Sequence, residues 1–416
     1  MTQSYVILGD GISGSSAAET LREEDPEADV TVITDEGEPL YNRILIKEFA
    51  KGKLPEAPIS IHSEDWYDER GVNLELNTHV TDVDTDAHEV HAYDGSTYEY
   101  DKLLVATGGT PTSLSSFGVE NADADGVHHF WTFQDARRIR EHAEDAEQGV
   151  IVGAGLLGID FAAVCGAQGI DAKYLMRGNR WWRYALSLEG AEIIHDGLRS
   201  KGVEPVFDSG VDRFEVDDDG RVEAAIDPNG ERFECDWAGV AIGLDFNVEF
   251  LEDTPVEADH SGIVVDEFMQ TGVEDVYAAG DITRFHDTIL GEQAQNGSWG
   301  SAKEQGQVAA KNMASDDEVE EFRWVSSYSI THFGFPFLSF GHPTEGDDYV
   351  ERKYDEGTYR RVALKDGKVI GGVLIGDLAP QQKLKQLIRE ERDVGDQTDV
   401  LLAEQIDLDE LAPAQQ

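Results

Sequence analysis

The chain has 416 residues, too many for one domain of ordinary size, so two or three domains are expected. Asp and Glu number 85 against 33 Lys and Arg, a formal net charge of −52 spread along the whole length, while 40% of the residues are hydrophobic. That balance excludes a nucleic-acid binder, which needs the opposite sign. The aromatics and periodic apolar runs exclude a disordered acidic chain.

A surface this acidic matches halophilic, salt-accumulating cytosols, because at molar salt the Debye length is about 3 Å and like charges barely repel. The competing explanation is an acidic protein with basic partners. The two cysteines, Cys165 and Cys235, form no C-x-x-C pair, so no disulfide framework, zinc site or iron–sulfur cluster is encoded. Both are expected as small core residues, Cys165 in a helix and Cys235 in a strand. A strand is expected within the first few residues, with no basic n-region or apolar h-region before it, so no signal peptide is expected. No apolar run approaches the roughly 18 residues of a spanning helix, so a cytoplasmic protein without membrane insertion is expected.

Residues 5–8 are a short apolar run, followed by Gly9, Gly11 and Gly14 in G-x-G-x-x-G and by a helical stretch over residues 15–22. Strand, glycine turn and helix together make a dinucleotide-binding unit. Gly9 allows the tight turn, Gly11 a close approach to a pyrophosphate, and Gly14 close helix–strand packing, with Ile12 and Ser13 between them. The helix N-terminus offers free N–H groups to the phosphates. Asp10 is unusual in this motif, and its carboxylate must point away from the phosphates. Residues 30–33 form a second buried strand. Asp35, 21 residues past Gly14 and followed by Glu36, stands where an acid accepts a hydrogen bond from an adenosine ribose.

Residues 39–47, PLYNRILIK, concentrate aromatic, Arg and Lys residues on a loop leading into a short helix. Residues 73–80 and 89–93 read as strands, with Asp94-Gly95 as a hairpin turn. Residues 101–109, DKLLVATGG, read as a strand whose abrupt end in Ala106, Thr107 and Gly108 suits a tip close to a ligand.

A second unit begins at Gly149. Residues 150–152 form a strand, Gly153, Gly155 and Gly158 repeat the motif with Leu156 and Leu157 in the turn, and a helix runs to about Gln168. The strand at 172–175 ends in Met176 where the ribose acid is expected, with Arg177, Arg180 and Arg183 behind it. A missing carboxylate beside Arg tolerates or favours a 2′-phosphate, whereas solvated arginines balancing local acids are the plainer explanation. Trp181 and Trp182 are expected to pack rather than to stack on an adenine. Residues 203–206, 211–216, 221–226 and 231–243 read as meander strands. After a strand at 262–265, residues 275–281, DVYAAGD, again end in small residues, with Gly280 and Asp281 at the tip. A helix at 297–313 has its start near the same ligand. An acidic stretch at 316–321 precedes an aromatic-rich block at 324–340, expected as core. Strands at 359–364 and 369–375 joined at Asp366-Gly367, a helix at 381–392 and an acidic tail complete a third, small domain.

Two dinucleotide units, an A-T-G strand tip and a G-D strand tip in this order resemble the two-dinucleotide-binding flavoprotein reductases, the family around the pyridine nucleotide-disulfide oxidoreductases, over residues 5–392. Within it, Tyr41, Arg43, Leu45 and Lys47 resemble the Y-x-R-x-L-x-K loop of ferredoxin and rubredoxin reductases and, more loosely, of the flavin module of NAD(P)H nitrite reductase. No cysteine precedes Cys165, which argues against the disulfide-using branches.

The resemblance implies an α/β fold of two Rossmann-like domains and a small α+β C-terminal domain. A split FAD-binding domain would cover 1–115 and 245–316, an inserted NAD(P)H-binding domain 116–244, and an interface domain 320–416. It implies FAD on Gly9, Gly11, Ile12, Ser13 and Gly14, with Asp35 or Glu36 on the ribose and Val80 beside the adenine. Ala106, Thr107, Gly108, Gly280, Asp281 and Trp299 would line the rest of that cofactor, with Asp281 on the ribityl chain and Arg43 and Lys47 from the loop. NAD(P)H, with NADPH slightly favoured over NADH, would lie on Gly153, Gly155, Leu156, Leu157, Gly158 and Arg177. Asp160 matches a position usually held by Glu, and Lys47 and Asp160 are the implied catalytic pair. No metal is implied. The implied activity is hydride transfer from NAD(P)H to FAD and onward to a ferredoxin- or rubredoxin-type carrier, a nitrite reductase partner or a small acceptor, with a homodimer allowed. The alternatives are a flavin redox sensor of the apoptosis-inducing-factor type and an NADH oxidase or dehydrogenase.

Overall fold

The computed structural model describes residues 2–315, 320–331 and 334–411. The acidic stretch at 316–321, the aromatic block and the tail therefore fall partly outside the described residues. The chain divides into two compact units: Met1–Asn42, Glu56–Thr110 and Leu244–Ser326 form the first, and Arg43–Pro55, Pro111–Gly243 and Ser327–Gln416 the second.

The first unit is built on a five-stranded sheet in the order Val276–Ala278, Lys102–Val105, Ser4–Leu8, Asp29–Ile33, Val72–Glu75, every neighbour parallel. Its central strand, Ser4–Leu8, is a continuous apolar run rather than an alternating one, as a sheet covered on both faces requires: Tyr5, Val6, Ile7 and Leu8 are all buried. The helices Ile12–Glu24 and Trp299–Ala314 pack closely because both offer small residues. A Cβ at Gly306 would stand 2.1 Å from the Ser13 carbonyl oxygen. Smaller sheets accompany it, among them the antiparallel Val80–Asp84, Glu89–Ala92 and Thr97–Glu99. The expected strand over 73–80 is in fact two elements in different sheets, Val72–Glu75 and Val80–Asp84. Between them Asn77 turns the chain at φ +52 and Thr78 N–H is captured by the Thr34 carbonyl.

The second unit repeats the design. Its parallel sheet runs Val203–Phe207, Asp171–Met176, Gln148–Val152, Trp237–Val240, Val127–His128. Two meander assignments are corrected here. The strand at 203–206 pairs parallel with Asp171–Met176. The run 231–243 divides: Arg232–Glu234, with an exposed–buried–exposed pattern, joins an antiparallel sheet with Arg213–Val216 and Val222–Ile226, whereas fully buried Trp237–Val240 joins the parallel one. Asp236 makes the break, its carboxylate accepting the Glu147 and Gln148 N–H groups. Cys165 is buried in helix Gly158–Gln168 as expected, and Cys235 is buried one residue beyond its strand. In the same unit a five-stranded antiparallel sheet, Ser327–Ile330, Phe337–Gly341, Lys368–Ile375, Tyr359–Lys365, Asp348–Lys353, carries the helix Gln381–Arg389. Of the 85 acidic residues, those buried among the described residues are Asp10, Asp160, Asp227 and Asp287, so the excess negative charge lies where water reaches it.

His128, on the edge strand of the second parallel sheet, is buried beside Trp237 and His142. Burial, and then the nearby His142, His129, Arg138 and Arg221, lower its pKa to about 3. A histidine whose folded pKa lies below its ordinary 6.5 favours the fold above that value and opposes it as the pH falls. The midpoint of urea unfolding is therefore expected to drop as the pH falls below about 6.5, and His128→Phe to flatten part of that slope. An identical slope in both proteins would refute the assignment.

Candidate functional site

The two glycine turns have matching geometry. Gly9 (φ +103) and Gly153 (φ +110) both adopt left-handed backbone, and a Cβ on them would meet Ala106 O at 2.3 Å and Ala241 O at 1.9 Å. Gly14 and Gly158 are held just as tightly, against Gly9 O at 1.9 Å and Gly153 O at 2.3 Å. The middle glycines differ: around Gly11 and Gly155 nothing lies within 4 Å of a Cβ position. Each turn thus has two glycines where the protein leaves no room and one that faces open space. Neither helix is capped by a side chain, which leaves the helix N-terminus open to an anion, although the Asp160 N–H is already taken by Leu157 O. At the first turn the Ser13 hydroxyl is buried without a partner, a polar atom that a bound phosphate would satisfy.

Asp10 is explained by its surroundings. Its carboxylate accepts the Leu40 N–H at 2.9 Å and the Tyr67 hydroxyl at 2.7 and 2.9 Å. The Tyr67 proton is thereby committed, so the Ser15 hydroxyl, 3.2 Å away, donates to Tyr67. Burial, reinforced by the Asp10 charge, raises the Tyr67 pKa far above its ordinary value. The acid thus stitches the glycine turn to the chain entering the 39–47 loop.

The remaining predicted residues of the first unit sit just at or beyond strand ends, except Trp299. Asp35 is exposed, with its carboxylate 3.4 Å from His79, while Glu36 accepts the Tyr41 hydroxyl at 2.6 Å. Val80 opens its strand opposite Ala92. Ala106 donates its N–H to Leu8 O, and the Thr107 hydroxyl donates to Asn247 O at 3.3 Å. Gly108 (φ +60) and Gly280 (φ +91) turn the chain at two strand tips. Gly280 N–H is fixed by the fully buried Gln305 side chain, which also accepts the Thr283 hydroxyl. Asp281 follows, and Gly297 leaves its carboxylate 3.7 Å from where a Cβ would be. Trp299 starts its helix behind a Ser298 cap. Gln305 carried no motif in the sequence, and only its buried contacts reveal it.

In the second unit Lys47, in the short helix Ile46–Ala50, and Asp160, in the first turn of Gly158–Gln168, form an ion pair of 2.6 Å. Asp160 is 2% exposed. Burial would lower the Lys47 pKa, but the Asp160 charge and the Tyr328 hydroxyl outweigh it and raise it, so the ammonium keeps its proton. The shorter acid therefore reaches the lysine. Arg43 is held elsewhere, donating to Trp131 O at 2.9 Å. Leu156 and Leu157 are half-buried in the turn, and Arg177 is exposed just past buried Met176. Arg180 is consumed by Leu186 O, Arg183 O and Asn179. Trp181 and Trp182 pack, as expected: Trp181 is fully buried against Phe337, and its indole N–H donates to Gly155 O at 3.2 Å. Burial raises both thiol pKa values, that of Cys235 to about 12, so neither cysteine is a ready thiolate. No described helix is long and apolar enough to cross a membrane.

Removing the Tyr67 hydroxyl leaves Asp10 buried and one donor short. Tyr67→Phe is expected to cost about 1–3 kcal/mol of stability, read as a lower denaturation midpoint. A midpoint equal to that of the parent would show that the network carries no weight.

Residues 3–306 match the family described as pyridine nucleotide-disulphide oxidoreductase, and residues 329–392 match the rubredoxin NAD+ reductase C-terminal domain. The chain is 27% identical over 396 residues to the assimilatory nitrate reductase electron transfer subunit of Bacillus subtilis (strain 168), covering 94% of this chain and 50% of that protein. It thus spans about half the length of that relative. It is 32% identical over 336 residues to the NAD(P)H sulfur oxidoreductase (CoA-dependent) of Pyrococcus abyssi, covering 80% of this chain and 73% of that one. Its fold matches the reductase in a covalent putidaredoxin reductase–putidaredoxin complex with a TM-score of 0.90 and 23% identity, over 97% of this chain and 96% of that one. The α/β architecture and the match across both glycine units agree: the chain belongs to the pyridine nucleotide-disulphide oxidoreductase family.

Proposed function

We propose that the chain is an NAD(P)H-dependent FAD reductase that hands electrons to a separate acceptor, either a ferredoxin- or rubredoxin-type carrier or the partner component of a nitrite reductase. The observation that carries this is the duplicated glycine turn, in which Gly11 and Gly155 alone face open space. The chemistry supplied by bound FAD is acceptance of a hydride from NAD(P)H and release of its electrons onward. The chain itself binds and orients. In the first unit Gly9, Gly11, Ile12, Ser13 and Gly14 would seat the FAD pyrophosphate, and Asp35 or Glu36 its ribose. Val80, Ala106, Thr107, Gly108, Gly280, Asp281 and Trp299 would line the rest. In the second unit Gly153, Gly155, Leu156, Leu157 and Gly158 would seat the nicotinamide dinucleotide.

Lys47 contributes a fixed positive charge, kept protonated by Asp160. The raised thiol pKa values favour a route that needs no cysteine. Arg177, exposed behind a buried Met176, favours NADPH over NADH. The net charge of −52 suits a cytoplasm at molar salt, where local apolar contacts rather than net charge would govern docking to an acidic carrier.

Anaerobic titration of the purified protein in molar KCl with NADPH, then NADH, tests this reading. Bleaching of a bound flavin is expected, followed by recovery when a ferredoxin or rubredoxin is added. A colourless protein, or a flavin that neither nucleotide bleaches, would overturn it. Gly11→Leu is expected to abolish FAD retention, whereas Gly155→Leu should keep FAD and raise the nucleotide concentration needed for half-reduction. Arg177→Ala is expected to raise the KM for NADPH about tenfold, the worth of one charged hydrogen bond, and to leave that for NADH within about twofold. Equal effects on both nucleotides would remove Arg177 from 2′-phosphate recognition.

A further inference from the structure

The Lys47–Asp160 pair has a third member, drawn from the C-terminal part of the second unit. Tyr328 lies in the strand Ser327–Ile330, and its phenol oxygen stands 3.4 Å from Lys47 Nζ, 3.5 Å from Asp160 Oδ2 and 3.4 Å from the Leu156 carbonyl oxygen. The Lys47 ammonium also lies 5.4 Å from the centre of the Tyr328 ring, within cation–π range. Each polar distance is longer than a firm hydrogen bond, so the hydroxyl sits among three partners instead of being committed to one.

Counting protons sets the directions. An ammonium has only donors, so the Tyr328 oxygen accepts from Lys47. The phenol has one proton, and Asp160 Oδ2 and Leu156 O are both acceptors, so one of them receives it. Leu156 belongs to the second glycine turn, between Gly155 and Gly158. One hydroxyl therefore touches the lysine, its counter-ion and the backbone of the turn. We propose that Tyr328 is a positioning residue of this site, holding the Lys47 ammonium against Asp160 and tying the pair to the glycine turn through the Leu156 carbonyl.

This rests on the function proposed above. Burial, with the Asp160 charge, pushes the phenol up to about 12. It keeps its proton throughout the neutral range, which suits a donor that orients and rules out a base at neutral pH. Strand pairing of Tyr328 with Ser339 and the hydrogen bond of Lys385 to Ser327 fix the backbone that carries the ring.

Tyr328→Phe keeps the ring and removes the hydroxyl. The first readout needs no turnover: competitive acetylation of the purified full chain across alkaline pH, followed by mass spectrometry, with exposed Lys173 and Lys201 as internal references. Lys47 is expected to react about three- to tenfold faster relative to the references in Tyr328→Phe, the worth of one modest hydrogen bond. The second readout is anaerobic stopped-flow reduction of the flavin by the preferred nucleotide. Its limiting rate constant is expected to fall about three- to tenfold with nucleotide affinity unchanged. The double variant Tyr328→Phe/Lys47→Met is expected to be no slower than Lys47→Met alone, because the hydroxyl acts through the lysine. Tyr328→Leu, if Tyr328→Phe does not fold, is expected to shift the labelling in the same direction. Unchanged Lys47 labelling, or a double variant whose loss is the product of the two single losses, overturns the proposal. If the parent flavin is not reduced at all, the functional reading fails, and the labelling still decides whether Tyr328 holds Lys47.

Discussion

Backbone meets backbone at Gly9 and at Gly153, and the rest of the molecule is arranged around that lack of space. A side chain at either position would overlap the carbonyl just past the end of the neighbouring parallel strand, and one at Gly14 or Gly158 would overlap the turn itself. Overlap that severe cannot be relaxed by rotating a side chain, because the atoms met are main chain. The requirement holds strand, turn and helix in one relation in each unit and leaves the middle glycine looking outward. The same contact that packs the fold thus leaves the middle glycine of each turn open to solvent, where the proposed dinucleotides would lie.

Within that frame the buried charges are few and each has work to do. Asp10 and Asp160 are both close to a helix start, where an unpaired acid would compete with any phosphate. Asp10 is satisfied by Leu40 and Tyr67, and Asp160 by Lys47. Breaking such a pair by removing one partner typically costs about 3–5 kcal/mol, since the remaining charge stays buried. The numerous exposed pairs, such as Arg232 with Glu215 and Glu234, are worth far less each. The −52 surface and the sparsely charged interior are therefore separate matters, the first exposed to solvent and the second made of groups held by specific partners.

Much of the architecture was legible because it rests on local rules. Both glycine turns, their flanking strands and helices, and the two strand tips at 106–108 and 280–281 follow from apolar runs that end in small residues. The errors share a cause. Residues 231–243 read as one meander because periodicity over a short run cannot show which sheet a strand joins. The split comes from Asp236 accepting two N–H groups from a strand far away in sequence. The break within 73–80 depends on Asn77 adopting φ +52, which its neighbours in sequence do not dictate. The helices Phe133–Ala143 and Leu188–Arg199 went unmarked beside stronger signals, although the first carries a capping box at Thr132 and Asp135.

The sequence by itself determined the duplicated dinucleotide-type unit, the α/β class, the family and the loop that bears Lys47, because spacing along a chain is enough to specify a turn and the helix after it. Only the tertiary structure decided why Asp10 is tolerated, that the shorter Asp160 still reaches Lys47, that Gln305 secures the tip at Gly280, and that Tyr328 joins the pair. Those contacts link residues from 25 to 281 positions apart. Such contacts form when separate strands and helices pack and bury groups that must then find partners, and no local pattern in the chain encodes which partners they find.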